Sequence, residues 1–324
     1  MNTGVQIQSP SQFGSHSLAA RWLHSGLNVN ALRTNALLRY DDWKDIDRTV
    51  LQIATVRMSG WGDLRARGLT RNLGGLGVIM TQWQRASDMD PAEISMSGIT
   101  RGQKDRVDFD TKLLPVPIIH KDFSLEIRHL EASRRNGVGL DAMQAQIAAR
   151  LVAETAEDLL FNGSSITVDG NAIYGYRTHP DRNVIATAAD WGTVANIYSS
   201  VIAMIAALVA DRMFGPYILY VSDTQYIQAL AQEGVDNFSN VMTRLQQIPN
   251  LQGIKPTYAL PDGTALMVQL SSEVVDAEIG QDITTVEWNE MGGMQANFKV
   301  MMAAVPRIKS DAAGRSGVVV HTGV

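Results

Sequence analysis

Cysteine is absent from this chain of 324 residues. No disulfide can therefore form, no thiolate can act as a nucleophile, and no zinc site can be built on cysteine ligands. The absence also fits synthesis in a reducing cytosol, where disulfides are rarely used for stability.

Long apolar runs are absent as well. The longest one near the middle of the chain extends from Val201 to Ala210, whereas a helix that crosses a bilayer needs about 20 apolar residues. The N-terminus has no apolar segment behind a basic start, which a secretory signal requires. We therefore expect no membrane partner and no secretion.

Neither sign of charge dominates the composition. The net charge of −5 is modest for this length, which argues against a nucleic-acid-binding surface over the whole molecule. Hydrophobic residues make up 45% of the chain and charged residues 19%. The chain can therefore form the core of one large domain or of two ordinary ones.

Motifs for catalysis and cofactor binding are also missing. Gly74-Gly75-Leu76-Gly77 lacks the following helix and the lysine of a phosphate-binding loop, and Gly314-Arg315-Ser316-Gly317 lacks the spacing of a nucleophile elbow. Glu154, Glu157 and Asp158 could act as acids and bases, but successive acids on an amphipathic helix are typical of its solvated face. The i, i+4 spacing of a zinc site does not occur among His16, His24, His120, His129, His179 and His321. We expect no catalytic residue, no cofactor and no metal, with an enzyme whose site is assembled from distant residues as an alternative.

The N-terminal segment, residues 1–40, is polar and contains no acid. Its basic residues are Arg21, Arg33 and Arg39. A segment with so little apolar surface can be ordered only against another surface, in its own subunit or in a neighbouring one. A floppy tail is the alternative interpretation.

A second polar segment covers residues 71–112. Between Arg71 and Lys112, six basic and six acidic residues are closely interleaved. Loops of this length are uncommon in compact domains and are usually functional or linking. The mixed charge favours docking on a complementary neighbour, with the register set by charge pairs. A solvated β-hairpin is an equally good interpretation.

The remaining pattern predicts an α+β fold. A long amphipathic helix is predicted over residues 139–162, with Asn162-Gly163 as its C-terminal stop. Its apolar stripe consists of Leu140, Met143, Ile147, Leu151 and Leu159. The other predicted elements are a helix from 41, a strand at 123–127, a loop at 164–183, a helix at 191–211, a strand at 217–221, short helices at 224–232 and 237–247, and strands at 254–260, 264–270 and 283–305. This order lacks the regular β-α-β alternation of a doubly wound fold.

Several motifs together carry a resemblance to a known group of proteins. In chain order they are Trp43-Lys44-Asp45-Ile46-Asp47 in the first helix, Leu64-Arg65-Ala66-Arg67-Gly68 in an Arg-rich turn, Pro115-Val116-Pro117 before Phe123-Ser124-Leu125, residues 130–137 ahead of the long helix, Phe161-Asn162-Gly163 at its end, and the strand from Gly215 to Val221. From about residue 41 onward, the chain resembles the phage major capsid protein and encapsulin group, which has the Hong Kong 97-type fold. It differs from encapsulins in the region ahead of Trp43. Encapsulins use an N-terminal helix there to bind a cargo peptide, whereas this chain has the acid-free segment 1–40.

The resemblance implies a division of the chain into named parts. These are an N-terminal arm (1–40), an N-terminal helix and turn (41–70), an extended E-loop hairpin (71–112), a peripheral P-domain with the long spine helix (113–190 and 275–324), and an axial A-domain (191–274). In the group, A-domains meet at the five- and six-fold axes and E-loops lie across adjacent subunits.

The resemblance also implies a function. The chain is expected to be a major capsid protein of a tailed bacteriophage, which assembles into pentamers and hexamers of an icosahedral shell around double-stranded DNA. The expected partners are other copies of the chain, DNA bound without sequence readout, and portal, scaffold or decoration proteins. The expected location is the virion, assembled in the cytoplasm of the host bacterium. An encapsulin-like nanocompartment that encloses a cargo enzyme is the alternative.

Particular residues are expected to make the contacts of such a shell. Those expected to contact neighbouring subunits from the E-loop are Arg85, Asp88, Glu93, Arg101, Lys104, Asp105 and Arg106. Those expected to make contacts from the N-terminal arm, or to face inward toward DNA, are Arg21, Arg33 and Arg39.

Overall fold

The structure, a computed structural model, describes residues 46, 48–53, 57–87, 89, 92, 94, 96, 106–126, 128, 143–231, 240–290 and 295–324. Residues 48–53 are helical, which confirms the first predicted helix over its described part. The further helices are α1 (Ser59–Ala66), α2 (Met143–Asn162), α3 (Val194–Ala210), α4 (Asp223–Ala229) and α5 (Val241–Gln246). The predicted Arg-rich turn is therefore helical from Leu64 to Ala66, and only Arg67 and Gly68 form a turn.

The strands follow the same chain order and contribute to two larger sheets and two hairpins. They are β1 (Thr70–Asn72), β2 (Met80–Ala86), β3 (Phe109–Pro115), β4 (Ile118–Glu126), β5 (Ser164–Val168), β6 (Asn171–Ile173), β7 (Asn183–Ile185), β8 (Tyr217–Val221), β9 (Leu251–Pro256), β10 (Thr264–Gln269), β11 (Val275–Glu290), β12 (Gln295–Ile308) and β13 (Val318–Thr322).

The first sheet has four strands in the order β1-β11-β12-β4. Its centre is the long antiparallel pair β11–β12, which runs from Val275 opposite Ile308 to Glu290 opposite Gln295. β4 pairs antiparallel with β12, and β1 pairs parallel with β11. Helices α1 and α2 pack on one face of this sheet around a core that includes Trp61, Phe161 and Phe298.

The second sheet has five strands in the order β7-β13-β10-β8-β9. Alternate residues of β8 face two different cores: Ile218 and Tyr220 face the core of the first sheet, while Leu219 and Val221 face a second core beneath α3. All five residues of β8 are therefore buried. Burial on both faces explains why this strand is a continuous apolar run in the sequence.

The predicted boundary between the P-domain and the A-domain passes through this second sheet. β7 and β13 belong to the segments 113–190 and 275–324, whereas β8, β9 and β10 belong to 191–274. β13 pairs directly with β10, with Val320 opposite Leu266. The C-terminal strand thus joins the two predicted parts, and their division stays a prediction.

Helix α2 ends where the sequence predicts, but its buried face matches the predicted stripe only in part. Gly163 has φ +74°, as expected for a C-terminal stop. Met143 and Ile147 of the predicted apolar stripe are 62% and 45% exposed, so that part of the stripe is wrong. Leu159 of the stripe is buried, as predicted. Up to residue 156 the buried face is formed by small residues, namely Ala145, Ala148, Ala149, Val152, Ala153 and Ala156. Small side chains let α1 and the sheet approach the helix closely, which hydrophobicity alone does not indicate.

The predicted loop at 164–183 is also partly wrong, because β5 and β6 form a small antiparallel hairpin there. The pairing of β11 with β12 divides the predicted strand at 283–305 into two strands. Among the described residues, no helix is both long enough and apolar enough to cross a membrane.

Candidate interaction surface: the hairpin of β2 and β3

β2 and β3 form a separate two-stranded hairpin, called the hairpin below. Its antiparallel register runs from Met80 opposite Pro115 to Ala86 opposite Phe109. A backbone hydrogen bond of 3.0 Å from Ser87 N–H to the Asp108 carbonyl extends the ladder by one step. Within the segment 71–112, which is predicted as a charged docking loop or a β-hairpin, residues 80–87 and 108–112 form a hairpin that continues to Pro115. Arg71 and Asn72 belong instead to β1 of the first sheet.

The hairpin has two distinct faces because side chains alternate along each strand. The inner face, which is directed at the rest of the subunit (the body), carries Thr81, Trp83, Arg85, Asp110, Lys112 and Leu114. The outer face carries Gln82, Gln84, Ala86, Phe109, Thr111 and Leu113. At the base of the inner face, Leu114 is buried in a small apolar cluster with Leu159, Ile173 and Val305.

The outer face carries two exposed apolar side chains. Phe109 is 66% exposed and Leu113 is 42% exposed. Their cross-strand neighbours are Ala86 and Gln82. Apolar side chains rimmed by polar ones are typical of a surface that contacts another protein.

The inner face is joined to the body by an ion pair. Arg85 Nη1 lies 3.3 Å from Asp181 Oδ2, and Ser310 Oγ donates a hydrogen bond of 2.5 Å to the same oxygen. Across the hairpin, Arg85 is directly opposite Asp110. Asp110 lies 2.8 Å from Lys112 Nζ. The hydrogen bond from Lys112, and then the charges of Lys112 and Arg85, lower the pKa of Asp110 although its slight burial opposes this.

The Arg85 side chain lines two cavities. One, of about 360 Å³, lies between the hairpin and the loop around His179 and Asp181 and is partly open to solvent. The other, of about 410 Å³, is lined by the end of β2 and by Lys309 and Arg315. The inner face is therefore packed on the body at its base and stands away from it further out.

A second exposed apolar region lies beside the long helix. Ile118 of β4 and Ile166 of β5 are 51% and 53% exposed, and Ile147 of α2 is 45% exposed. A cavity of about 500 Å³ between β4, α2 and β5 includes Ile118 and Ile166 in its lining. The subunit thus leaves apolar side chains uncovered on its body as well as on the hairpin.

Only part of the predicted contact set lies in described residues. Arg85 is on the inner face, with its side chain 22% exposed, and Arg106 is an exposed residue three positions before β3. The residues that lie outside the described ranges are Asp88, Glu93, Arg101, Lys104, Asp105, Arg21, Arg33 and Arg39. Sequence reasoning missed Phe109 and Leu113, although their alternation with Asp110 and Lys112 indicates a two-faced strand.

One of the three helical acids is buried, contrary to the expectation that they mark a solvated face. Glu157 is fully buried, whereas Asp158 is exposed. Glu157 Oε1 accepts hydrogen bonds from Ser59 Oγ at 2.8 Å and from Gly60 N–H at 2.7 Å. Burial raises its pKa to about 7, although these donors oppose the shift. Its helical neighbours Ala153, Ala156 and Leu160 were the signal that this position faces inward.

The chemistry available in the described residues is limited. Glu157 has no route to a substrate because it is enclosed by α1 and α2. No group of three or more His, Asp or Glu side chains in the described ranges is arranged to hold a metal ion. The feature of the subunit best suited to recognition is therefore a surface, not a pocket.

Comparison with known proteins identifies the family and several relatives of this chain. Residues 30–321 match the model of a family described as "Family of unknown function (DUF6260)". The type 1 encapsulin shell protein EncA of Myxococcus xanthus is 25% identical over 84% of this chain and 90% of its own. A diheme-cytochrome-encapsulin shell fusion protein of Kuenenia stuttgartiensis is 24% identical over 83% of this chain and 70% of its own.

Solved structures give the fold. A virus-like particle protein from Pyrococcus furiosus matches with a TM-score of 0.64 and 16% identity, over 87% of this chain and 98% of its own. The capsid protein of Myoviridae phage XM1 matches with a TM-score of 0.62 and 13% identity, over 80% of this chain and 91% of its own. The chain therefore has the α+β Hong Kong 97-type fold, which confirms the expected resemblance and fold class.

Proposed function

This chain belongs to the DUF6260 family, and we propose that its copies assemble into a closed icosahedral shell. The observation that carries the proposal is the hairpin, whose outer face leaves Phe109 and Leu113 uncovered on a subunit with the Hong Kong 97-type fold. Relatives described as encapsulin shell proteins support it.

The exposed surfaces of the subunit fit this role physically. Apolar groups on the outer face and beside α2 gain stability only when another surface removes them from water. Interfaces between obligate partners commonly bury more than about 2,000 Å². Several separate exposed regions on one subunit suit a closed surface, in which each copy contacts more than one neighbour.

The parts of the subunit take on roles within the proposal. The segment 71–112 is the E-loop that contacts a neighbour, through charged residues such as Arg101, Lys104 and Arg106 as well as through its outer face. Residues 113–190 and 275–324 form the P-domain, and residues 191–274 form the A-domain that meets its copies at the symmetry axes. Residues 1–40 are an arm whose arginines contact a neighbouring subunit or the material inside the shell.

For the contents, we propose double-stranded DNA, which makes the chain a major capsid protein of a tailed phage and a component of a virion. The acid-free segment with Arg21, Arg33 and Arg39 supports this choice, because phosphate neutralisation needs only basic side chains. Portal, scaffold or decoration proteins would then be further partners. A nanocompartment that holds a cargo enzyme is the second candidate, which the similarity to encapsulin shell proteins favours.

Removal of residues 1–40 and charge reversal of Arg101, Lys104 and Arg106 to Glu test the proposed contacts. Both changes should lower the yield of particles measured by sedimentation. A matched control exchanges Arg for Lys and Lys for Arg at the same three positions, which keeps the charge and should keep the yield. Normal particle yield after both the removal and the reversal would contradict these roles.

The same particles can be used to test whether the shell encloses DNA or a cargo protein. After nuclease treatment, particles that hold a genome should retain DNA of uniform length. Particles that retain instead a second protein in a fixed ratio to the shell protein would support the compartment. An enzyme with a site assembled from distant residues would form a small discrete oligomer and no particle.

A further inference from the structure

We propose that Arg85 is a two-position latch: paired with Asp181 it holds the hairpin on its own subunit, and paired with Asp110 it lets the hairpin leave the body. The latch rests on the proposed function, because it controls the direction of the surface that would contact a neighbour. Arg85 and Asp181 are accordingly positioning residues, and the contacts themselves belong to the outer face.

The first position is the one present in the structure. The Arg85 guanidinium lies 3.3 Å from Asp181 Oδ2, with 22% and 28% of the two side chains exposed. Asp181 is itself held by the body, because Ser310 Oγ donates to its Oδ2 at 2.5 Å and its N–H donates to His179 Nδ1 at 3.3 Å. His179 is buried. The body thus presents a fixed carboxylate to a residue on the hairpin.

The second position is supplied by the register of the hairpin. Arg85 and Asp110 are directly opposite each other, and side chains at such a pair have Cβ atoms about 5 Å apart. Asp110 is exposed, and the charge of Arg85 already contributes to lowering its pKa, after the hydrogen bond from Lys112. When Arg85 leaves Asp181, a second carboxylate is therefore within reach on its own hairpin.

The hairpin has both an attachment point and room to move. Its base is held by Leu114 in the cluster with Leu159, Ile173 and Val305. Arg85 lies four residues beyond Thr81, the cross-strand partner of Leu114. The two cavities of about 360 and 410 Å³ that Arg85 lines leave space between the hairpin and the body. Leu114 can therefore act as the pivot of the hairpin, and the Arg85–Asp181 contact further out can hold it on the body.

In the proposed latch, a neighbouring subunit chooses between the two positions of Arg85. Ion pairs with partly exposed partners are weak and sensitive to salt. Exchange of one carboxylate for another also avoids leaving the guanidinium without a counter-charge. Contacts on the outer face could therefore shift the latch, so that the hairpin follows the angle between two subunits in the shell.

The matched variants Asp181→Asn and Asp110→Asn test the latch, since each removes one of the two partners of Arg85. Amide hydrogen exchange of residues 80–86 and 109–115 is measured in the purified protein, in the same assembly state for all variants. Asp181→Asn should raise the exchange rate roughly two- to fivefold, as expected for a weak ion pair. Asp110→Asn should leave the rate unchanged or lower it, because the hairpin then stays on Asp181.

A double variant separates the latch from a general loss of stability. Arg85→Gln combined with Asp181→Asn should exchange no faster than Arg85→Gln alone, because both changes remove the same contact. Equal effects of Asp181→Asn and Asp110→Asn, or no effect of Asp181→Asn, would overturn the latch. Its failure is distinguishable from failure of the proposed function, since shell formation is judged on the unmodified chain and the exchange rates need no shell.

Discussion

The N–H of Gly60 donates a hydrogen bond of 2.7 Å to the buried carboxylate of Glu157, and this bond joins the first turn of α1 to the C-terminal half of α2. Trp61 Nε1 adds a hydrogen bond of 2.7 Å to the Ala156 carbonyl. The two helices lie so close together that a Cβ on Gly60 would be 2.6 Å from Leu160 Cδ2. Contact between α1 and α2 is therefore both apolar and polar.

Gly60→Ala should destabilise the subunit. The added methyl group would overlap Leu160 and approach Glu157 Oε1 to 3.2 Å, and overpacking of this kind costs about 1–3 kcal/mol. The matched control is Gly62→Ala on the same helix, where nothing lies within 4 Å. It should leave stability unchanged or raise it by up to about 1 kcal/mol. Urea denaturation of both variants measures the difference, and equal effects would contradict the close approach.

The protonation of Glu157 should make stability depend on pH. Burial raises its pKa from 4.5 to about 7, so between these values the folded state binds more protons than the unfolded state. The free energy of unfolding should therefore fall as the pH rises through this window, by up to about 3 kcal/mol from this group. Glu157→Gln should remove that contribution and be at least as stable as the unmodified chain at pH 8.

The control for this prediction is Glu154→Gln, one turn earlier on α2. The Glu154 side chain is 30% exposed and lies 3.6 Å from Arg57. The Glu154→Gln variant should retain the pH slope of the unmodified chain, as measured by chemical denaturation from pH 5 to pH 8. If Glu157→Gln also retained that slope, the pH dependence of stability would not come from protonation of the Glu157 carboxyl.

Arg307 should be the most sensitive charged residue of the first sheet. It is buried, donates hydrogen bonds of 2.7 and 2.5 Å to Asp276, and lies 2.7 Å from the buried Glu278. Burial alone would raise the pKa of Asp276, but the hydrogen bonds from Arg307 and Lys309 lower it below its usual value. Arg307→Met would leave the buried Glu278 with only the exposed Arg71 at 3.6 Å, and Asp276 with Lys309 at 2.8 Å. The loss of the buried guanidinium should cost about 3 kcal/mol.

Arg71 provides the matched control for this network. It lies 3.6 Å from the same oxygen of Glu278, but its side chain is 62% exposed. Arg71→Met should therefore cost less than about 1 kcal/mol in thermal or urea denaturation. If Arg307→Met and Arg71→Met lowered the free energy of unfolding by similar amounts, burial would not decide the strength of these ion pairs.

Phe109→Ser should reduce assembly without unfolding the subunit. Phe109 is 66% exposed, so its removal should change subunit stability by no more than about 0.5 kcal/mol. If the outer face is an interface, loss of an aromatic contact should lower particle yield roughly tenfold or more. Phe109→Leu keeps an apolar side chain and should retain most particles in sedimentation. A particle yield from Phe109→Ser equal to that of the unmodified chain would show that Phe109 does not lie in the interface.

Local elements of the fold could be predicted from the sequence where one short segment decides the structure. The stop at Asn162-Gly163 depends on a single left-handed residue, and the buried strand at 217–221 depends on its continuous apolar run. The helices predicted at 191–211 and 224–232 occur at Val194–Ala210 and Asp223–Ala229. These patterns need no knowledge of distant residues.

Features that depend on distant partners could not be predicted in the same way. The pairing of Val320 with Leu266 joins the C-terminus to the middle of the chain, and no local pattern indicates it. Burial of Glu157 depends on donors about 100 residues away. The exposed apolar residues on the outer face of the hairpin, Phe109 and Leu113, were not predicted. The interleaved charges of this segment indicated polar contacts instead.

Electron microscopy of the purified, unmodified protein tests shell assembly most directly. The fold and the uncovered outer face predict closed particles of uniform diameter with icosahedral symmetry. A population made up of monomers or small discrete oligomers, under conditions in which the subunit is folded, would contradict the account.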